Sequence, residues 1–250
     1  SPGCAPRADR ASEADNPRPD KPLYAPLNAV PNTSICASSH SGASLPISVS
    51  AGPNIVILTG AGISAESGIR TFRDTGGLWE EHAIEEVATP EGFARNPDLV
   101  HEFYNQRRGA LQSVKPNAAH TALARLEKGL DEVGGRVTIV TQNVDDLHER
   151  GGAKSVIHMH GELKSLHCQF CRHQWAFDGL TASDMVCPSC EKSGGPRPDI
   201  VWFGEMPYFM DDIEVAVAGC DIFVSIGTSG AVYPAAGFVQ MARSLGKKTL

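Results

Sequence analysis

The stretch Asn54–Trp79, NIVILTGAGISAESGIRTFRDTGGLW, decides the reading of the fold. Ile55, Val56, Ile57 and Leu58 form an unbroken apolar run. That is the pattern of a strand buried on both faces of a parallel sheet, not of one that alternates toward water. Gly60, Ala61, Gly62 and Ala65 follow in a G-x-G-x-x-A frame. Such a turn lets the backbone approach a pyrophosphate and opens a helix whose free N–H groups attract an anion. A tight turn without a ligand has the same letters, so the frame alone does not specify a nucleotide. A hydride-transfer unit would run on through a long helix into a strand ending in an acid about 20 residues later. Here the helical pattern stops at Ser67-Gly68, and the polar segment Arg70–Gly77, with two arginines, reads as a loop laid over a ligand.

Outward from this stretch, Arg136–Thr141, Val156–His160 and Asp221–Ile226 read as further buried strands, and Asp199–Phe203 as a short one. Ala83–Val87 and Glu91–Phe93 read as helical turns. Asp98–Leu111 reads as a helix capped by Asn96 or Asp98. A second helix runs from Pro116-Asn117 to Leu130, with Ala119, Leu123 and Leu126 inward. Met210–Ala218 and Pro234–Leu245 complete the helices, and Lys247–Leu250 reads as the start of a last strand. Alternating helices and apolar strands imply an α/β fold with a doubly wound parallel sheet.

The 250 residues, 41% of them hydrophobic, suffice for one large domain or one with a small companion. A net charge of −7 counts against nucleic acid as a partner. No apolar run reaches the roughly 18 residues of a membrane helix. Residues 1–50 hold eight of the 17 prolines and nine serines and show no apolar period, so they read as a disordered leader without a secretory h-region.

Four of the seven cysteines form two C-x-x-C pairs, Cys168/Cys171 and Cys187/Cys190, with 15 residues between the pairs. Four thiolates at this spacing suit one structural zinc ion in a ribbon, in a reducing compartment, and leave no open position for substrate. A redox dithiol, unliganded thiols, or a nucleic-acid ribbon using Arg172, His173 and Lys192 are the alternatives.

Chemistry-bearing residues gather after strands. Gln142, Asn143, Val144 and Asp145 follow Arg136–Thr141, where ligands of open parallel sheets bind. An Asn beside an Asp suits a carboxamide, though an Asx turn uses the same residues. His160, followed by Gly161, is placed for general-base work, and His158 shares its face in a strand. A lone histidine so placed is more often structural, and zinc could claim it, but the four cysteines already complete a site. Gly227, Thr228 and Ser229 offer small donors for ribose or phosphate, or form an ordinary turn. Tyr104 and Arg107 share a helix face and together suit a carboxylate, although an exposed polar face is the commoner origin of such a pair.

Taken in order, GAGISAESGIRTFR, TQNVDDLH, His160-Gly161, the paired C-x-x-C, DIVWFGE (Asp199–Glu205) and Gly227-Thr228-Ser229 resemble the sirtuins, NAD-dependent protein-lysine deacylases, over about residues 52–250. The wording is most similar to the bacterial CobB type. Tyr104 and Arg107 match the Y-x-x-R of the class III, sirtuin-5-like branch, which accepts succinyl- and malonyl-lysine as well as acetyl-lysine. The resemblance implies a Rossmann-like domain over 51–165 and 197–250, with a zinc ribbon inserted at 166–196 and a helical module at 74–120 joining it. It assigns Gly60, Ala61, Gly62, Ser64, Glu66, Phe72, Arg73, Trp79, Gln142, Asn143, Val144, Asp145, Gly227, Thr228 and Ser229 to NAD as co-substrate. His160 becomes the base, and Cys168, Cys171, Cys187 and Cys190 the zinc ligands. Tyr104, Arg107 and the segment Val201, Trp202, Phe203, Gly204 and Glu205 meet an extended acyl-lysine peptide by strand addition. A cytoplasmic monomer is expected, free of nucleic acid and membrane. The resemblance departs in two places: Asp199 stands where many class III members have His, and the chain stops before the last strand, which carries adenine contacts in the family. A non-catalytic NAD or ADP-ribose sensor and a protein mono-ADP-ribosyltransferase are the competing functions.

Overall fold

The computed structural model describes residues 52–69, 82–230 and 232–250. The expected leader and covering loop, with Phe72, Arg73 and Trp79, lie outside the described residues. In chain order the elements are β1 (Asn54–Thr59), a 3₁₀ helix (Ala61–Ser67), α1 (Ile84–Val87), α2 (Pro90–Arg95), α3 (Pro97–Leu111), α4 (Ala118–Asp131), β2 (Arg136–Thr141), α5 (Leu147–Arg150) and β3 (Val156–His158). There follow β4 (Gly161–Cys168), β5 (Gln174–Ala176), β6 (Pro196–Ile200), α6 (Met210–Gly219), β7 (Ile222–Ile226), α7 (Ala235–Ser244) and β8 (Lys248–Thr249).

Five strands form one parallel sheet in the order β3-β2-β1-β7-β8. The chain winds outward from β1 through β2 to β3, then crosses to the other side of β1 and winds outward again through β7 to β8. The crevice above β1 and β7 is therefore the topological switch point, where such sheets bind ligands. The apolar runs fill both faces by the period of two. Val56, Leu58, Val140 and Phe223 pack beneath α6 and α7 on Ile213, Val217, Phe238 and Ala242. Ile57, Val137 and Ile139 face Ile63 and Leu123 on the other side.

A second, antiparallel sheet has the order β5-β4-β6. A separate apolar cluster joins it to α1–α3: Val87, Phe93, Val100, Phe103, Tyr104 and Leu111 meet Leu163, Ile200 and Trp202. Asn96 caps α3 by accepting the Leu99 N–H, and Asn117 caps α4 by accepting that of Ala119.

Three expectations are corrected. The strand read at Asp199–Phe203 lies at Pro196–Ile200. Its pairing with β4 ends at Ile200, and the Trp202 N–H then turns to the Glu205 carboxylate, folding the next residues into a turn. The strand read as Val156–His160 stops at His158, because the chain turns sharply before β4. Leu126 does not face inward: it is 39% exposed, while His120, Leu123 and Glu127 form the buried face of α4. Glu127 is tolerated there because its two oxygens accept the N–H groups of Lys154 and Ser155, both at 2.8 Å.

Candidate active site

The carboxyl ends of β1 and β7 are locked together by main chain. Gly60 N–H donates to the Ile226 carbonyl at 3.1 Å and Gly62 N–H to the Gly227 carbonyl at 2.8 Å. A side chain on Gly62 would stand 2.9 Å from Gly227 Cα. One on Gly227, whose φ is +63°, would overlap the Ile63 amide. The glycines of the opening frame thus bring two loops into contact at the switch point. The 3₁₀ helix ends at Gly68 in the left-handed conformation, φ 93°, where the sequence pattern stops.

Side chains from these two loops meet side chains from the loop after β2. Ser64, wholly buried, donates to Asp145 Oδ2 at 3.0 Å and accepts from Asn143 Nδ2 at 3.0 Å. Gln142 Nε2 reaches Thr228 Oγ1 at 3.0 Å, which ties this loop to the β7 loop. Burial is the main influence on Asp145 and pushes its carboxyl above the usual range, against the Leu147 N–H and Ser64 hydroxyl that stabilise the anion. Gln142, Asn143, Asp145, Ser64 and Thr228 therefore form one connected polar lining. Of the other expected residues, Ala61 is half-buried, Gly227 and Ser229 are exposed, and Glu66 sits exposed on the 3₁₀ helix outside these hydrogen bonds. Val144 packs instead against the apolar cluster of α1–α3, and its carbonyl accepts the Leu163 N–H.

His160 sits in the turn between β3 and β4, at the junction of the two sheets. Its carbonyl accepts the Val201 N–H and its Nδ1 faces the Gln142 carbonyl at 3.2 Å. Gly161 must follow it: φ is +81°, and any Cβ would collide with the Asp199 carbonyl. Burial holds His160 below its ordinary value, only partly offset by Gln142, so the ring is neutral near pH 7. With the proton on Nδ1 toward the carbonyl, Nε2 keeps its lone pair, as a base requires.

Two histidines that the sequence reading did not single out lie beneath this lining. His120 Nε2 is 3.4 Å from Ser64 Oγ, and His148 Nε2 is 3.0 Å from Thr59 Oγ1. Their rings stand 5.0 Å apart. Burial, then the neighbouring His120, pulls His148 down to about 4. The placement of His120 at i and Leu123 at i+3 on one helical face was a usable signal; for His148 there was none.

The four cysteine sulfurs lie within 4.8 Å of one another, with Cys168–Cys190 and Cys171–Cys187 both at 3.7 Å. A tetrahedron of thiolates at about 2.3 Å from a zinc ion has edges of about 3.8 Å, so the set fits that ion. The spacing is far beyond a disulfide bond, and all four cysteines are free. On β6, Asp199 is buried and accepts from His167, Ser165, Gln174 and Tyr208. Burial alone would raise its carboxyl, but His167 and these donors hold it below the usual range.

Tyr104 is 3% exposed and its oxygen accepts the Trp202 indole N–H at 2.9 Å, which leaves its own O–H to donate. Burial pushes the phenol up to about 12. Half-buried Arg107 lies against the Phe103 ring, 5.1 Å from its centroid, and no carboxylate pairs with it among the described residues. In the Val201–Glu205 segment the N–H groups of Val201, Trp202, Phe203 and Glu205 are already engaged, by His160, Glu205, Ala88 and Trp202 in turn. Arg197, stacked 3.7 Å over Trp202, fixes Glu205 at 2.7 Å.

A doubly wound sheet with a polar crevice at its switch point, joined to a four-cysteine module, defines an α/β nucleotide-site class with a structural metal. The model of the Sir2 family matches residues 60–234, and the chain belongs to that family. It is 57% identical over 195 residues to an NAD-dependent protein deacylase of Caulobacter vibrioides, covering 78% of this chain and 82% of that one. An NAD-dependent protein deacylase of Vibrio vulnificus is 58% identical over 199 residues, covering 79% and 80%. Among solved structures, a Sir2 homolog–NAD complex aligns with TM-score 0.71 and 37% identity over 81% of this chain and 78% of that one. A Sir2–p53 peptide–NAD+ complex aligns with TM-score 0.66 and 29% identity over 80% and 81%. Among the described residues no helix is long and apolar enough to cross a membrane.

Proposed function

We propose that the chain is an NAD-dependent protein-lysine deacylase that removes succinyl and malonyl groups as well as acetyl groups. The observation that carries this reading is His160: a neutral, half-buried imidazole whose Nε2 has no hydrogen-bond partner among the described residues, one loop away from the Ser64–Asn143–Asp145 cluster. NAD, as co-substrate, supplies the ADP-ribosyl group that takes up the acyl group as nicotinamide leaves. Ser64, Asn143 and Asp145 hold the carboxamide end, and Gln142 with Thr228 the ribose. Gly60, Ala61, Gly62, Gly227 and Ser229 admit the rest by close main-chain approach; Glu66, Phe72, Arg73, Trp79 and Val144 are assigned to the same cofactor by likeness alone. His160 Nε2 takes a proton from a ribose hydroxyl, which makes that oxygen the nucleophile toward the acyl carbon. The buried lining keeps water from the bond being broken. Cys168, Cys171, Cys187 and Cys190 would hold one zinc ion, which contributes folding energy and no chemistry.

Acyl choice rests on Tyr104 and Arg107. The neutral phenol donates its O–H, and the guanidinium, without an acidic partner among the described residues, supplies the charge for an anionic acyl tail. Val201 to Glu205 meet an extended peptide; with most of their N–H groups engaged, the carbonyls and Gly204 carry that contact. The free cysteines suit a reducing cytoplasm, and a monomer suffices for the site. Mass spectrometry of acetyl- and succinyl-lysine peptides, with and without NAD, tests the reading. Arg107→Met should cut desuccinylation by about 100-fold, the worth of a charge-assisted pair, and deacetylation by less than about threefold. Equal losses would remove the acyl-selectivity claim, and no NAD-dependent product from the unaltered chain would remove the function.

A further inference from the structure

His158 stands two residues before His160, and the chemistry above does not use it. Its ring is buried, and each nitrogen meets an acceptor: Nδ1 the Asn143 carbonyl at 3.1 Å, Nε2 the Glu149 carboxylate at 2.8 Å. Neither an amide carbonyl nor an ionised carboxylate can donate, and a neutral imidazole has a single N–H. A neutral ring would leave one acceptor facing a lone pair of the buried ring. Only the imidazolium satisfies both. His160 has the opposite requirement, since it meets one acceptor and needs its second nitrogen bare. Two histidines thus grip successive carbonyls, Gln142 and Asn143, in opposite charge states.

We infer that His158 is a positioning residue for the deacylation proposed above: as a cation braced by Glu149, it holds the Asn143 carbonyl and so fixes the loop that carries Gln142, Asn143 and Asp145 into the crevice. The surroundings agree. Burial works against the charge on His158, but the hydrogen bond and charge of Glu149, then Glu162 at 3.9 Å on β4, outweigh it and raise the group above its ordinary value. From the loop, Asp145 adds attraction. From α5, His148 would repel it, but burial keeps that ring neutral. The cost of a buried cation is met by a partner and a hydrogen bond on each side.

The inference fixes a direction in pH. A group raised in the folded protein keeps its role below its folded value and loses it as pH rises through that value. Activity should therefore have an acid limb from His160 and an alkaline limb from His158. Glu149→Gln keeps the shape and removes the charge. It should shift the alkaline limb down by at least one pH unit, leave the acid limb in place, and raise KM for NAD about tenfold. A profile that superimposes on that of the unaltered chain would overturn the inference, as would a uniform loss of activity at every pH, which is what a merely structural role gives. Nuclear magnetic resonance titration of isotope-labelled histidine in the intact chain reads the same claim without turnover or a variant. His158 should titrate above the ordinary 6.5 and His160 below it. His158 titrating at or below 6.5 overturns the inference even if deacylation is observed, and the expected titration stands even if deacylation fails.

Discussion

The two walls of the crevice are made of different materials. The β1/β7 wall is mostly main chain, with Gly60, Gly62 and Gly227 in close approach and only the hydroxyls of Ser64 and Thr228 joining the polar lining among the described residues. The β2/β3 wall is side chain, and it carries Asp145, His158 and His160 with His120 and His148 packed behind. A wall of glycines presents fixed dipoles and has nothing to titrate, so it tolerates no added Cβ and ignores pH. A wall of buried imidazoles and carboxyls tolerates conservative change but stores its charge states in its packing. Binding an anionic co-substrate suits the first, and moving a proton suits the second.

The largest effect should come from breaking the main-chain wall. Gly227→Ala puts a Cβ into the Ile63 amide at a backbone φ of +63°, so steric overlap and left-handed strain act together. A loss of about 3–5 kcal/mol is expected by denaturant titration. A loss below about 1 kcal/mol would mean that the two loops are not in forced contact.

A smaller effect, opposite in kind, should appear in the side-chain wall. His148 falls from 6.5 to about 4 on folding, so the unfolded chain binds the proton more tightly. Its contribution is fully present above pH 6.5 and is lost as pH falls toward 4, by roughly 3 kcal/mol across that window. His148→Gln, unable to titrate, should therefore lose less stability between pH 6.5 and 4.5 than the unaltered chain. Parallel stability curves would show that this ring is not held neutral. Gly227→Ala, by contrast, should shift stability equally at every pH.

The same division explains what could be read in the sequence. The parallel sheet was legible because Ile55–Leu58 is an apolar run and Arg136–Thr141 and Ile222–Ile226 are rich in Val, Ile and Phe, as a doubly covered strand needs. The small sheet was not. β6 contains two prolines, Pro196 and Pro198, which argue against a strand; they are allowed because β6 is an edge that pairs, among the described residues, only with β4. Ile200 and Trp202 then drew the assignment downstream, although their apolar character serves contact with α1–α3. At the site, spacing marked the glycine frame, the cysteines and the loop after β2. What spacing could not mark was which residues face each other across the fold. His120 meets Ser64 from 56 residues away, and Thr59 meets His148 from 89. The charge on His158 depends on a partner, Glu149, that no strand or helix period pairs with it.

In the proposed reaction nicotinamide leaves NAD at the side-chain wall and His160 directs the acyl group onto the ribose. The most direct measurement is mass spectrometry of all three products from a succinyl- or acetyl-lysine peptide with NAD, for the unaltered chain and for His160→Ala. Nicotinamide, free lysine and O-acyl-ADP-ribose are expected in equal amounts from the unaltered chain, with a loss of roughly 10²–10⁴-fold in the last two from His160→Ala. Equal rates from the two proteins, or ADP-ribose left on protein in place of the O-acyl product, would contradict it.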